Sequence, residues 1–191
     1  MERKYNVISQ LGEKGREARV FLVEDKFNCT YAAKQFRKNK SENAIINEIN
    51  LQRKCSKYEI SPKIVDYNLT HKYIVMEKMG CHLTQMIVDS GGRLSEFHQK
   101  SIVKIMKTLD KICVFQSDPN LLNYMVKNGK IYMIDFGAVQ GPEAFTKTPT
   151  PNMSIGLVAF ILKLKDVGFP PTTYSYILSR LPQDTQNLIN I

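Results

Sequence analysis

The stretch LNYMVKNGKIYMIDFG, residues 122–137, sets an Asn-Gly between two short apolar runs. Asn-Gly so flanked is the strongest short-range hairpin signal, because both central residues of a type I′ turn take positive φ. With Asn128 and Gly129 as the turn, Tyr124, Met125 and Val126 pair with the run 131–134. That register puts Ile134 opposite Asn123 and Asp135 opposite Leu122, so Asn123 and Asp135 meet at the open end of the hairpin. A carboxylate beside an amide oxygen is a donor set for a hard cation. A surface hairpin with polar ends is the plainer reading, and the rest of the chain has to choose between the two.

The 191 residues suffice for one domain or two small lobes with a real core. Apolar and charged fractions are ordinary for a globular chain. The longest apolar run, 155–162, is too short to span a bilayer, and MERKYNVISQ at the start has no apolar signal-peptide core. The expectation is therefore a cytoplasmic protein with no membrane partner. Cys29, Cys55, Cys81 and Cys113 lie far apart with no CxxC pair, which suits a reducing compartment and argues against zinc or a disulfide scaffold. His71, His82 and His98 share no metal-ligand spacing and read as surface or capping residues. The net charge of +9, with an isoelectric point near 9.3, favours an anionic partner. The basic residues are scattered, with KQFRKNK at 34–40 the densest cluster, so charge alone supports a nucleic-acid partner only weakly.

The first third is β-rich: YNVISQLG, ARVFLVED and TYAAKQF are strand-like, with a polar turn at 25–28. SENAIINEINLQRKC has helical spacing, with Ser41 as its N-cap. Strands follow in PKIVDYNL and KYIVMEKM. Beyond them Ile102, Ile105, Met106, Leu109, Ile112 and Cys113 fit one stripe of a long helix. After the hairpin and a Pro-broken loop at 146–152 come a helix in SIGLVAFILKL and two short ones in TTYSYILSRL and QDTQNLIN. Strands with one helix, then mostly helices, suggest two lobes joined near 78–82.

Two features carry chemistry on their own. GEKGREARV is a glycine-bearing turn between strands, whose backbone N–H groups can approach phosphate; an ordinary hairpin turn is the plainer reading. In the helix 41–55, Ala44, Glu48, Leu51 and Cys55 fall at i, i+4, i+7 and i+11, which puts Glu48 in an apolar, inward stripe. A buried carboxylate needs a partner, and Lys34 on the neighbouring strand is the obvious one.

The motifs, in order, resemble those of the protein-kinase superfamily over about residues 5–165. Gly15, Ala18 and Val20 match the Gly-rich loop G-x-G-x-x-G-x-V, with Gly12 fitting if the loop holds one extra residue. YAAK at 31–34 matches V-A-I-K, VMEKM at 75–79 resembles the hinge, and Asp118 stands five residues before Asn123 as in H-R-D-L-x-x-x-N. Asp135-Phe136-Gly137 is a literal D-F-G. The resemblance implies an α+β, two-lobed protein-kinase-like fold in one domain, 1–191. A β-rich N-lobe would cover about 1–78 and a pared-down, mainly helical C-lobe 79–191. It implies ATP and Mg2+ as cofactors. Gly12, Gly15, Ala18, Val20, Ala32, Lys34, Met76, Glu77 and Met79 would bind nucleotide, the last two through backbone groups. Asn123 and Asp135 would hold the metal. Lys34, paired with Glu48, would bind phosphates and Asp118 would accept the substrate proton.

Departures narrow the resemblance. Gln116 and Ser117 stand where the family has His and Arg, and Asn120 stands where Ser/Thr kinases usually have Lys. GREARVF resembles the loop of RIO-type kinases and of the kinase subunit of the KEOPS complex, small atypical kinases without the usual activation segment. The stretch 137–152 is short and lacks a convincing A-P-E, since GPEAF comes too early. Activity independent of phosphorylation at Thr146, Thr148 or Thr150 is therefore expected, because no Arg precedes Asp118 to receive a phosphate. Compact kinases of this sort occur among large DNA viruses and bacterial effectors, and the Lys-, Asn- and Ile-rich composition is compatible with an AT-rich viral genome; a host-cytoplasmic location would follow. The resemblance thus implies an atypical serine/threonine protein kinase acting on a protein substrate with an acidic surface. A pseudokinase serving as a binding module and a small-molecule phosphotransferase of the same superfamily are the alternatives.

Overall fold

Alternating apolar residues in the first third build a sheet with two buried faces, and the later 3.6-residue periodicity builds helices. The computed structural model describes residues 4–12, 15, 17–140, 145, 146 and 150–190. Glu13, Lys14 and Arg16 of the glycine turn, most of GPEAF and Thr148 lie outside them. The architecture is mixed α+β, and the chain divides into two compact units, Met1–Met79 and Gly80–Ile191.

The first unit runs β1 (Asn6–Leu11), β2 (Ala18–Glu24), β3 (Thr30–Phe36), α1 (Glu42–Ser56), β4 (Ile64–Asn68) and β5 (Tyr73–Glu77). Its strands form one antiparallel sheet in the order β1-β2-β3-β5-β4. One face packs Ala18, Phe36, Ile74 and Met76 with Ile45 and Ile49 of α1. The other buries Val23, Ala33 and Val75 with Tyr5 and Tyr73. Strand β1 is largely exposed and its register shifts between Val7 and Ser9, a bulge of the kind that blunts an open edge. Helix α1 starts where Ser41 Oγ accepts the Ala44 N–H at 3.2 Å. Its buried face is Ile45, Glu48, Ile49, Gln52 and Cys55. The stripe expected through Ala44 and Leu51 is therefore off by one position, since both are only half-buried. The cause is Gln52, a polar residue spent inward because its Nε2 donates to Pro62 O at 3.0 Å.

The second unit contains β6 (Cys81–His82), α2 (Leu83–Asp89), α3 (Glu96–Lys111), β7 (Phe115–Gln116), β8 (Tyr124–Lys127), β9 (Lys130–Met133) and β10 (Val139–Gln140). Then come α4 (Leu157–Asp166), α5 (Ser175–Leu178) and α6 (Gln183–Asn190). The β8–β9 hairpin closes on Asn128 and Gly129 at φ 51° and 72°, the two positive values a type I′ turn requires. Its register, Tyr124 with Met133 and Val126 with Ile131, is the one read from the sequence. Strand β6 joins the same ladder, and Gly80 leads into it with its N–H 2.9 Å from Val126 O. A Cβ at Gly80 would lie 2.4 Å from that oxygen, so only glycine fits.

Helix α3 buries Ile102, Ile105, Met106 and Leu109 as expected, but it ends at Lys111, and Cys113 falls past the cap at φ 49°. The apolar stripe thus loses Cys113 to a left-handed turn. The helix in SIGLVAFILKL begins as a π-helical turn at Asn152–Gly156 before α4. Tyr124 and Phe160 lock the hairpin to α4 edge-on, with centroids 5.0 Å apart. No described helix is long and apolar enough to cross a membrane.

Burial pushes the Cys55 thiol up to about 12, whereas Cys29 and Cys81 are exposed. Iodoacetamide at about pH 8 should alkylate Cys29 and Cys81 and spare Cys55 until denaturant is added. Mass spectrometry that finds native Cys55 labelled as fast as Cys29 would mean α1 is not seated on the sheet as described.

Candidate functional site

In the first unit, strand alternation decides which expected residues share a face. Val20 pairs with Lys34, and Lys34 with Ile74; Leu22 pairs with Ala32, and Ala32 with Met76. Ala18, Val20, Ala32, Lys34 and Met76 therefore line one face, the one that carries α1. Val20, Leu22 and Ala32 are half-buried, so α1 leaves part of that face uncovered. Lys34 is 9% exposed and Glu48 1%, and Nζ lies 2.5 Å from Glu48 Oε1. The pair anticipated from the helical spacing is formed. Such a pair is held by geometry, since both charges have left water and each depends on the other. The Phe36 ring, 5.3 Å from Nζ, gives the ammonium a second favourable neighbour.

The glycine turn joins β1 to β2. Gly12 sits at φ 65° and is exposed, as is Gly15, whose added Cβ would lie 3.0 Å from Ala18 O. At the other end of the sheet the Glu77 N–H is spent on Lys63 O at 3.0 Å, and its carboxylate accepts the Lys63 N–H at 3.0 Å. The backbone N–H of Glu77 is thus spent within the first unit. Met79 is buried, and its backbone groups carry no hydrogen bond to a described residue.

In the second unit, the sequence SDPNLLN folds as two successive Asx turns. Asp118 Oδ1 accepts the Asn120 N–H at 3.1 Å, and Asn120 Oδ1 accepts the Leu122 N–H at 3.0 Å, capping a 3₁₀ turn at Leu121–Asn123. That turn points Asn123 back at Asp118, and Asn123 Nδ2 donates to Asp118 Oδ2 at 3.0 Å. The Ile134 N–H donates to Asn123 O at 2.8 Å, which carries the hairpin register one residue past the ladder and brings Asp135 next to it. Asp135 is exposed and takes φ 60°, a left-handed conformation uncommon for a residue with a side chain. Its Oδ1 accepts the Gly137 N–H at 3.2 Å, and Phe136 beside it is fully buried.

Four further residues hold this arrangement, and sequence reasoning gave none of them such a role. The buried Gln116 donates from Nε2 to Asp135 O at 3.0 Å, and its Oε1 accepts the Asp118 N–H at 3.3 Å. One side-chain amide thus ties both acidic residues. Gln116 N–H donates in turn to Oδ1 of the wholly buried Asn152 at 3.1 Å. Asn152 Nδ2 donates to Asp110 Oδ1 at 2.8 Å and to Val114 O at 2.9 Å. Ser117, meanwhile, donates its hydroxyl to Ala138 O, and β7 pairs antiparallel with β10. The only advance signal was polarity out of place: a Gln after VF, and an Asn opening an apolar helix.

The donor set suits magnesium. Asn123 turns its amide nitrogen to Asp118, so its oxygen is the atom left for a ligand, and Asp135 adds a carboxylate. Magnesium takes oxygen ligands and needs few from protein when phosphates and water supply the rest. Among the described residues no group of three or more His, Cys, Asp and Glu could hold a metal by itself. No family model matches the chain.

Lys34→Met strands the Glu48 carboxylate and should cost on the order of 3 kcal/mol in urea unfolding. Adding Glu48→Leu should recover much of that loss, and strict additivity of the two changes would show that the pair does not interact. Gln116→Ala frees the Asp135 carbonyl and should lower the melting temperature more than Gln116→His, which keeps a ring N–H for that carbonyl. Equal melting temperatures for the two variants would show that this bond does not hold the corner.

Proposed function

We propose that this chain is an ATP- and magnesium-dependent phosphotransferase: an atypical serine/threonine protein kinase of two-lobed, protein-kinase-like fold. The observation that carries the reading is the grouping of Asp118, Asn123 and Asp135 by the Gln116 amide and the Asn123–Asp118 hydrogen bond. A second support is independent of it: the buried Lys34 ammonium, oriented by Glu48 on the sheet face that also carries Val20, Ala32 and Met76.

Phosphoryl transfer asks the protein for positioning and charge rather than for covalent chemistry. The substrate hydroxyl oxygen bonds to the γ-phosphorus as the bond from that phosphorus to the β–γ bridging oxygen breaks, and ADP leaves with the electron pair. Asp118 takes the hydroxyl proton. Its two hydrogen bonds, from Asn120 and Asn123, aim the carboxylate while leaving lone pairs for that proton. Asn123 and Asp135 would hold Mg2+, which neutralises phosphate charge when bound. Lys34 would bind non-bridging phosphate oxygens, and Glu48 keeps its ammonium from wandering. Gln116 and Ser117 suit an always-formed site: a neutral amide and a hydroxyl hold the strands around Asp118 without a phosphate-receiving Arg.

With γ-labelled ATP and magnesium, the wild-type chain should label serine or threonine on dephosphorylated casein, an acidic acceptor. Asp118→Asn and Asp135→Asn should each lower the rate by at least ~100-fold while keeping the fold. Label transfer that persists in Asp135→Asn would overturn the assignment. ATP-dependent thermal stabilisation without transfer would leave a nucleotide-binding module instead.

A further inference from the structure

The exposed face of α3 carries a pattern that the proposed chemistry does not use. Phe97, Lys100, Lys104, Lys107 and Lys111 recur at alternating intervals of three and four, the spacing of a heptad seam. On a helix of 3.6 residues per turn the four lysines span about 60° of arc and ~16 Å of length. All four are exposed, and Phe97 is 64% exposed. Lys100 pairs with Glu96 at 2.6 Å, whereas no described residue forms an ion pair or hydrogen bond with the ammonium groups of Lys104, Lys107 or Lys111. The other acid of the helix, Asp110, is turned away, accepting from Asn152 and Met153.

A stripe of this kind does nothing for its own helix. Like charges three and four residues apart repel, and a lysine in the first half of a helix opposes the dipole. Beside the stripe runs a shallow groove of about 280 Å³, walled on its far side by Tyr176 of α5. Lys100 Nζ and the Arg180 guanidinium both lie 5.4 Å from the Tyr176 ring centroid. The ring thus gathers a fifth cation to the groove and is already engaged, so it offers no free platform for a nucleobase. Single-stranded nucleic acid is disfavoured for that reason, and for the predominance of lysine over arginine.

We propose that this face of α3 is a docking surface for an acidic α-helix of a protein partner. The partner's carboxylates recur at the mirrored three-four spacing, and an apolar side chain one turn beyond them covers Phe97. A second helix lies along the seam as in a coiled coil, and the 3.5-residue period keeps the charges in register over the whole length. Complementary charge sets the orientation and speeds encounter, and the phenyl ring supplies the slow-dissociating contact. The surface stands apart from Asp118 and Asp135 in sequence, and its test requires no phosphate transfer.

The probe is a labelled alanine-based helical peptide with glutamates at the mirrored spacing and a leucine one turn beyond. A peptide of the same composition in scrambled order is the control. Fluorescence anisotropy should show the ordered peptide binding at least ~10-fold more tightly than the scrambled one, with an affinity that falls steeply with salt. Lys104→Glu/Lys107→Glu should remove binding and leave the melting temperature unchanged or higher, because it relieves repulsion along α3. Phe97→Ala should weaken binding without altering its salt dependence. Equal binding of both peptides, or no binding of either, would reduce the stripe to a solvated face. Displacement of the peptide by an oligo-dT strand of equal charge at lower concentration would reassign the surface to nucleic acid and overturn the proposal.

Discussion

The buried side-chain amide of Gln116 is the interaction on which the second unit's candidate site depends. Its nitrogen donates to Asp135 O and its oxygen accepts from the Asp118 N–H, so one side chain binds the backbone of both acidic residues, and the nitrogen also faces Met133 Sδ at 3.7 Å. An amide does this without a charge and without a titration of its own. Gln116 is itself held, because its N–H is bound by Asn152, whose nitrogen atoms are bound in turn by Asp110 and Val114 O. Asp110 is a carboxylate that accepts three N–H donors from the opening of the next helix, as an anion does at any helix N-terminus. Polar groups this deep are costly unless every partner is present, so the network tolerates few alternative arrangements.

That rigidity explains how Asp135 can sit at φ 60°. A left-handed conformation costs a residue with a Cβ roughly 1–2 kcal/mol, and it persists only where the surroundings impose it. Phe136, buried beside it, and the Gln116 bond to its carbonyl impose it here. The result is an exposed carboxylate on a corner held by hydrogen bonds. In the first unit Lys34 and Glu48 give up hydration and hold one ammonium in place, with the sheet and α1 supplying apolar walls around the pair.

Local chemistry made the hairpin legible in advance, since Asn-Gly admits few conformations and the apolar alternation on either side admits one register. The partnership of Lys34 and Glu48 was legible for a comparable reason: an acid inside a helical apolar stripe has to find a cation nearby. The mixed α+β character followed from the switch between period 2 and period 3.6. What propensity could not give was the inward face of α1 to the residue, because Gln52 faces inward only by virtue of the Pro62 carbonyl waiting there. The end of α3 was hidden likewise, since Cys113 is apolar and in phase, yet the chain has turned before reaching it.

By itself the sequence determined the strands of the first unit and of the hairpin, the long helices, the turn at Asn128 and Gly129, and which acids and which lysine are candidates for chemistry; β6, β7 and β10 were not read from it. These depend on neighbours within a few residues, where pattern and φ preference act. Only the tertiary structure decided that Gln116, Asn152 and Asp110 hold Asp118 and Asp135 together, and that the Glu77 N–H is already taken by Lys63. Those assignments join residues up to 42 positions apart. A glutamine or asparagine looks the same in a sequence whether it faces water or the interior. Its role is set by which donors and acceptors the fold leaves within hydrogen-bonding distance, and those come from segments remote in the chain.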